Sequence, residues 1–397
     1  MFPVRHLNEG FKRMNRLDRC LNLNEIRTLA KRRLPRIAFD FIDGGVEDEH
    51  GVEWNAQAFR QNFLVPRYCV DVSHRDQSVE LFGHRYSSPI GICPMGAGSL
   101  AAPGADIMLA KAAARFNVPY IMSSASNASM EQAAEVAPDN TWFQLYAAKS
   151  QHITNDLLAR ADRSGIKVIV VTVDVPLNSR RERNVRNGFV RPSKINLSSA
   201  LEALLHPSWI VSYLYHNDAL RLGNYEPYLS QDKSIPNSSE LYARETPNPR
   251  QSWTWLKSLR EQWSHKLVIK GLLDPHDARQ AGEMGVDGIM VSNHGARQLD
   301  RAPAPVQVME AMKEAAGSHV TIMTDSGIRR GSDVVINKCL GAQMSFIGRP
   351  ALFGVAAGKQ RGIDRVLSLL KNEIDLVLGQ IGIAKFEQLD HSSLFRP

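Results

Sequence analysis

Within this 397-residue chain, a histidine and an arginine three residues apart, in Ser292–Asp300 (SNHGARQLD), are the pair best suited to chemistry. The imidazole of His294 can take up a proton near neutral pH, and the guanidinium of Arg297 can hold a carboxylate in a fixed fork. Gly295 between them permits a tight backbone path. Alone, such a pair is also compatible with an ordinary surface loop. Two further segments weigh against that. Asp325–Gly331 (DSGIRRG) and Ile347–Pro350 (IGRP) combine glycines, which let main-chain amides approach an anion, with arginines, which supply fixed positive charge. They predict a phosphate-bearing ligand beside the acid–base pair.

These residues sit at the ends of short apolar runs, which are the elements that must position them. The runs are Pro89–Gly96, Tyr120–Ser124, Thr141–Tyr146, Val168–Asp174, Leu267–Gly271, Gly288–Asn293, Thr321–Gly327 and Ser345–Pro350. Each is too short and too uniformly apolar for a half-exposed antiparallel strand, and helix-like segments separate them. Alternating strand and helix implies a parallel sheet, and eight such units imply a closed (β/α)8 TIM barrel. The runs end in Ser123, Gln144 with Tyr146, Asp174, Lys270, Asn293 with His294, Asp325 and Arg349. A lysine or aspartate beside a buried strand is costly unless paired, so these ends mark a functional face. In such barrels the carboxyl ends of the strands form the active site, and the loops after strands seven and eight bind phosphate.

One interval departs from the rhythm: about 90 residues separate the fourth run from the fifth. It holds an arginine-dense stretch (Asn178–Pro192), an apolar and aromatic one (Leu201–Tyr215) and a polar, proline- and serine-rich one (Gly223–Pro249). The expected organisation is an N-terminal capping segment (1–88), a barrel (89–387) with an insertion on the catalytic face (190–252), and a short tail (388–397).

Composition limits the alternatives. With 43% hydrophobic residues the chain can bury a large core, which excludes a disordered or fibrous protein. Cys20, Cys69, Cys93 and Cys339 have no paired spacing, so they read as reduced thiols in a cytoplasmic protein, without a structural metal. The net charge of +7 suits an anionic ligand or membrane surface, but no basic run is interleaved with aromatics, and nucleic acid is not an expected partner. Residues 1–22, with Arg5, Lys12, Arg13, Arg16 and Arg19, read as a basic helical lead-in. No apolar run reaches the roughly 18 residues of a spanning helix.

The segments 34–49 (LPRIAFDFIDGGVEDE), 142–146 (WFQLY), 172–183 (TVDVPLNSRRER), 268–271 (VIKG), 292–300, 325–334 (DSGIRRGSDV) and 347–350 together resemble the FMN-dependent 2-hydroxy acid dehydrogenase and oxidase family. The resemblance runs from about residue 22 to 387, and the insertion looks most like the mandelate and lactate dehydrogenase branch. It implies FMN as cofactor, a small 2-hydroxy acid as substrate and a homo-tetramer. His294 would be the base and Asp174 would steady its imidazolium. Arg297 and Arg181 would grip the substrate carboxylate, with Tyr146 on a substrate oxygen and Lys270 beside the flavin N1/O2 edge. Ser123, Gln144, Thr172 and Ser292 would contact the isoalloxazine or ribityl chain. Asp325, Ser326, Gly327, Arg329, Gly348 and Arg349 would hold ribityl and phosphate.

Three positions set the chain apart. Phe41 stands where the family carries a substrate-binding tyrosine, which removes one contact to the carboxylate: either another group substitutes, or the substrate is not a simple small hydroxy acid but a bulkier, aromatic one or a carrier- or peptide-linked one. Ala125 replaces a larger residue and leaves room in the pocket. Gly96, where several oxidases have alanine, favours electron transfer to quinone over an oxidase reaction that makes hydrogen peroxide from O2. A non-catalytic flavin-binding barrel would have lost His294, Arg297 or Asp174, and all three are present. Leu201–Tyr215, flanked by Arg191, Lys194 and Arg221, either packs on the protein or lies on a membrane surface as a peripheral anchor.

Overall fold

The computed structural model describes residues 15–189, 201–216, 221–231 and 235–395. A short antiparallel hairpin, β1 (Val79–Leu81) and β2 (His84–Tyr86), precedes eight parallel strands. These are β3 (Ile90–Ile92), β4 (Tyr120–Ser123), β5 (Thr141–Leu145), β6 (Val168–Thr172), β7 (Lys266–Leu272), β8 (Gly288–Val291), β9 (Thr321–Thr324) and β10 (Met344–Ile347). They close on themselves, β10 pairing with β3, into a TIM barrel. Each of the eight apolar runs overlaps one strand. β3 to β6, β8 and β10 are buried along their whole length, sheathed by helices outside and filled inside, so no alternation of polar residues interrupts them.

The two ends of the barrel are closed differently. At the amino end, the hairpin tip Phe82 packs on Trp142, with ring centroids 5.6 Å apart, and Trp142 packs on Phe346 at 5.7 Å. The Trp142 indole N–H donates to the Tyr86 hydroxyl at 3.1 Å, which satisfies the buried indole nitrogen. At the carboxyl end, the helices Leu23–Arg33, Arg36–Asp43 and His50–Gln57 lead in from the N-terminus. Asp300, in the loop after β8, accepts from the His50 and Gly51 amides at 3.3 and 2.8 Å and so satisfies the amino end of the last of these helices.

The long interval between β6 and β7 contains the helices Glu182–Arg186, Pro207–His216 and Ser238–Glu245. The apolar segment within it has two faces. Trp209 donates to the Leu100 carbonyl at 2.9 Å and stacks on Tyr213, whereas Leu201, Leu204, Leu205 and Val211 are each more than half exposed. Both readings of this segment thus have a structural counterpart. Arg191 and Lys194, and Arg5, Lys12 and Arg13 of the N-terminal segment, lie outside the described residues. Among the described residues no helix is long and apolar enough to cross a membrane, and all four cysteines are free.

Candidate active site

β7 delivers Lys270, and a bulge between Lys270 and Leu272 re-aims the strand end. The bulge contains Gly271 at φ 111°, where a Cβ would stand 2.5 Å from that of Asp174. The glycine is therefore the space into which Asp174 fits. Lys270 is 3% exposed and lies 3.1 Å from Asp325, 3.9 Å from Asp174 and 2.9 Å from the Ser292 hydroxyl. Burial opposes its charge, but Asp325 and Asp174 outweigh that and hold its pKa above the ordinary lysine value. Burial pushes Asp325 the other way, yet Lys270 and the Ser292 and Ser326 hydroxyls keep it below the usual carboxylate range. The pair is charged.

After β8 the chain takes three successive left-handed residues: His294 (φ 57°), Gly295 (64°) and Ala296 (56°). For non-glycine residues this costs roughly 1–3 kcal/mol each and persists only where the surroundings enforce it. Enforcement comes from Ser292, which accepts from the His294 amide, Ser326, which accepts from that of Gly295, and Asn293, which accepts from that of Ala296. The strained path fixes the imidazole. Its Nδ1 lies 2.8 Å from Asp174, and its Nε2 faces the Tyr146 hydroxyl at 3.4 Å. Burial lowers the His294 pKa; Asp174 raises it and Lys270 lowers it further, so that it ends below 6.5. The ring is neutral at neutral pH, with Nε2 turned toward the cavity as a base.

Opposite it, cations crowd together. Arg297 donates to the Phe41 and Gly44 carbonyls at 2.9 and 2.8 Å, and Arg349 donates to those of Gly44 and Gly295 at 2.9 and 2.8 Å. Burial, with Arg181 and Arg349 nearby, pushes the Arg297 pKa far below its ordinary value, and burial beside Arg329 lowers Arg349 to about 10. Half-buried guanidinium groups tied to neutral carbonyls and facing a cavity make a site for anions.

A cavity of about 730 Å³ joins these groups, within the usual range for a small-molecule site. Of the residues expected from sequence, Ser123, Tyr146, Arg181, Lys270, His294, Arg297, Asp325, Ser326, Gly327, Arg329, Gly348 and Arg349 line it. Asp174, Gln144, Ser292 and Thr172 lie next to these lining residues. Asp174 backs His294, Gln144 accepts from Ser123 at 2.8 Å, and Ser292 serves both Lys270 and the His294 amide. Thr172 pairs in register with Lys270 across β6 and β7.

Sequence reading missed Phe189, Tyr242 and Cys93, which also line the cavity. The first two come from the long interval between β6 and β7, where no short motif marks them. Cys93 ends 3.5 Å from Asp325, through a tertiary contact. Phe41 takes a place that no lost-hydroxyl argument foretold. Its ring meets Phe189 edge-on at 5.0 Å, and the Arg297 guanidinium lies 5.3 Å from its centroid. Ala125 lines the cavity against Gly96, where an added Cβ would come within 3.0 Å of the alanine methyl.

Comparison with known proteins places this geometry. The chain is similar to (S)-mandelate dehydrogenase of Pseudomonas putida, 38% identical over 361 residues that cover 91% of this chain and 90% of that one. It is 34% identical to an L-lactate dehydrogenase of Pseudomonas syringae, covering 94% and 98%. It is 36% identical to a peroxisomal (S)-2-hydroxyacid oxidase of Arabidopsis thaliana, covering 92% and 94%. A crystal structure of the monotopic membrane protein (S)-mandelate dehydrogenase superposes with a TM-score of 0.90 at 36% identity, covering 95% of this chain and all of that one. Residues 30–396 match the FMN-dependent dehydrogenase family, and the chain belongs to it.

Proposed function

We propose that the protein oxidises a bulky or aromatic (S)-2-hydroxy acid to the 2-oxo acid with FMN and passes the electrons to quinone. The observation that carries this reading is His294, oriented by Asp174, sharing one cavity with the half-buried Arg181 and Arg297. The residues fit the cofactor: the buried Gln144 Nε2, Thr172 Oγ1 and Arg349 Nε have no hydrogen-bond partner among the described residues, and a flavin's ring edges and phosphate would satisfy them.

Bound FMN supplies a two-electron acceptor for the substrate carbon. Arg297 and Arg181 hold the carboxylate, and Tyr146 holds an oxygen of the substrate. His294 takes a proton from the substrate through Nε2, and Asp174 stabilises the imidazolium that results. If that proton comes from the hydroxyl, the C2 hydrogen departs with its electron pair; if it comes from C2, the pair is left on carbon and the hydroxyl proton is lost as the carbonyl forms. Lys270 would stabilise the negative charge that the cofactor takes up. Ser123, Gln144, Thr172 and Ser292 would border the ring and ribityl chain, while Asp325, Ser326, Gly327, Arg329, Gly348 and Arg349 would hold ribityl and phosphate. Phe41, Phe189 and Tyr242 supply apolar wall for a substrate ring.

The exposed leucines of the insertion favour peripheral attachment to the cytoplasmic face of an inner membrane, where quinone is reached. Phe63, Tyr68 and Phe395, all more than half exposed, offer an apolar face for a homo-tetramer. The test is anaerobic mixing of the flavoprotein with a panel of 2-hydroxy acids. Bleaching of the flavin by an aryl 2-hydroxy acid is expected, with little peroxide on readmission of air. No bleaching by any free acid would overturn the reading in favour of a carrier-linked substrate, and rapid peroxide release would favour an oxidase.

A further inference from the structure

The stretch that carries Arg181 and Phe189 is fastened to the N-terminal cap by an ionic cluster for which the roles above have no use. Arg183, on the short helix Glu182–Arg186, meets three carboxylates at once: Asp43 at 3.1 Å, Asp40 at 3.5 Å and Glu49 in direct contact. Arg27 holds Asp43 from the other side with a two-point contact at 2.6 and 2.8 Å. Asn187, just past the helix, donates to Asp40 at 2.7 Å. Three carboxylates gathered this closely repel one another, and Asp43 is 7% exposed, so the cluster depends on the cations inserted into it.

Both ends of this cluster lead to the anion site. Glu49, at φ 64°, accepts from the Gly45 amide at 2.9 Å and so fixes the turn whose Gly44 carbonyl receives Arg297 and Arg349. In the other direction, the helix that bears Arg183 begins just after Arg181, whose Nε donates to the Arg297 carbonyl at 3.4 Å, and Ser179 donates to the same oxygen at 2.7 Å. Arg183 therefore closes a loop of contacts around the two guanidinium groups.

We propose that Arg183 is a positioning residue for substrate: by bridging Asp40, Asp43 and Glu49 it sets the separation of Arg181 and Arg297 and holds Phe189 over the cavity. This rests on the assignment of Arg181 and Arg297 to the substrate carboxylate. An arginine suits the task because its planar fork can span several carboxylates, where the compact ammonium of lysine cannot.

The experiment compares Arg183→Met, Arg183→Lys, Glu49→Gln and the Arg183→Met/Glu49→Gln pair with the wild-type flavoprotein. Substrate KM, kcat, and the Kd of the 2-oxo acid read from the flavin spectrum are measured. Arg183→Met should raise KM and that Kd on the order of tenfold with kcat nearly unchanged, the signature of lost uniform binding. Arg183→Lys should fall between wild type and Arg183→Met. The double variant should be no worse than Arg183→Met, because both changes break the same bridge. An unchanged KM, an equal loss in kcat, or additive effects in the double variant would overturn the proposal. Arg181→Met separates the two readings: an unchanged KM there overturns the carboxylate assignment, whereas a raised KM there beside a normal Arg183→Met overturns only the bridge. Should Arg183→Met not fold, Arg183→Lys and Glu49→Gln carry the same comparison.

Discussion

The two ends of the barrel are built from the same eight strands and solve opposite problems. The amino end is an aromatic stopper of Phe82 and Trp142, whose indole nitrogen is satisfied by a neighbouring hydroxyl, and Phe346 lies between this stopper and the cavity, which it also lines. The carboxyl end buries Lys270, Asp325 and several guanidinium groups and bends its backbone into left-handed residues to aim His294. One end gains stability from apolar contact; the other spends it on charge and strain. Stability and catalysis should therefore respond to substitutions at different ends.

His294→Ala is the severest test of that division. It should leave the flavin bound and slow its reduction by about 10²–10⁴-fold, the usual range for a general base. Reduction at near wild-type speed would place the base elsewhere. At the other end, Trp142→Ala should cost about 3–5 kcal/mol of stability, read as a lower Tm, while KM and the kcat per bound flavin stay the same. A variant with normal stability and impaired KM would erase the contrast between the ends. The pH profile gives a subtler reading. His294 must be neutral to act, so kcat/KM should fall as pH drops through its pKa, which burial places below 6.5. Asp174 raises that pKa, so Asp174→Asn should move the acid limb to still lower pH on a reduced plateau; a limb that moves upward contradicts the arrangement. The smallest change is expected for Phe41→Tyr. An added hydroxyl near Arg297 should tighten small 2-hydroxy acids by about 0.5–1.5 kcal/mol, and unchanged affinity across a panel would show that the para position of residue 41 does not meet substrate.

Much of the catalytic end was legible because charged residues abruptly follow apolar runs there. Asp174 and Lys270 stood out in this way, and the strand ends indeed fall beside them: β6 stops at Thr172 and β7 extends to Leu272. The runs overreached the strands at their carboxyl ends for the same reason, since Asn293, Asp325 and Gly348 belong to loops that the strands aim. The stopper was not legible. Phe82 looks like an ordinary aromatic in a short hairpin, and only the closed barrel brings it to Trp142. The carbonyls of Phe41 and Gly44 that anchor Arg297 carry no sequence signal, because every residue has one. Phe41 was singled out for the hydroxyl it lacks, whereas its packing against Phe189 is what the fold makes of the ring.

Gly271 carries a consequence for how the chain can change. A methyl group there would collide with Asp174 at 2.5 Å and would also have to adopt a backbone angle that side chains avoid. Such a substitution would leave every reacting group in the sequence and still displace the carboxylate that orients His294. In a mutational library the position should tolerate almost nothing, as an acid–base residue does, although it contributes no functional group. Drift along this lineage is thus constrained by an absence of atoms as firmly as by their presence.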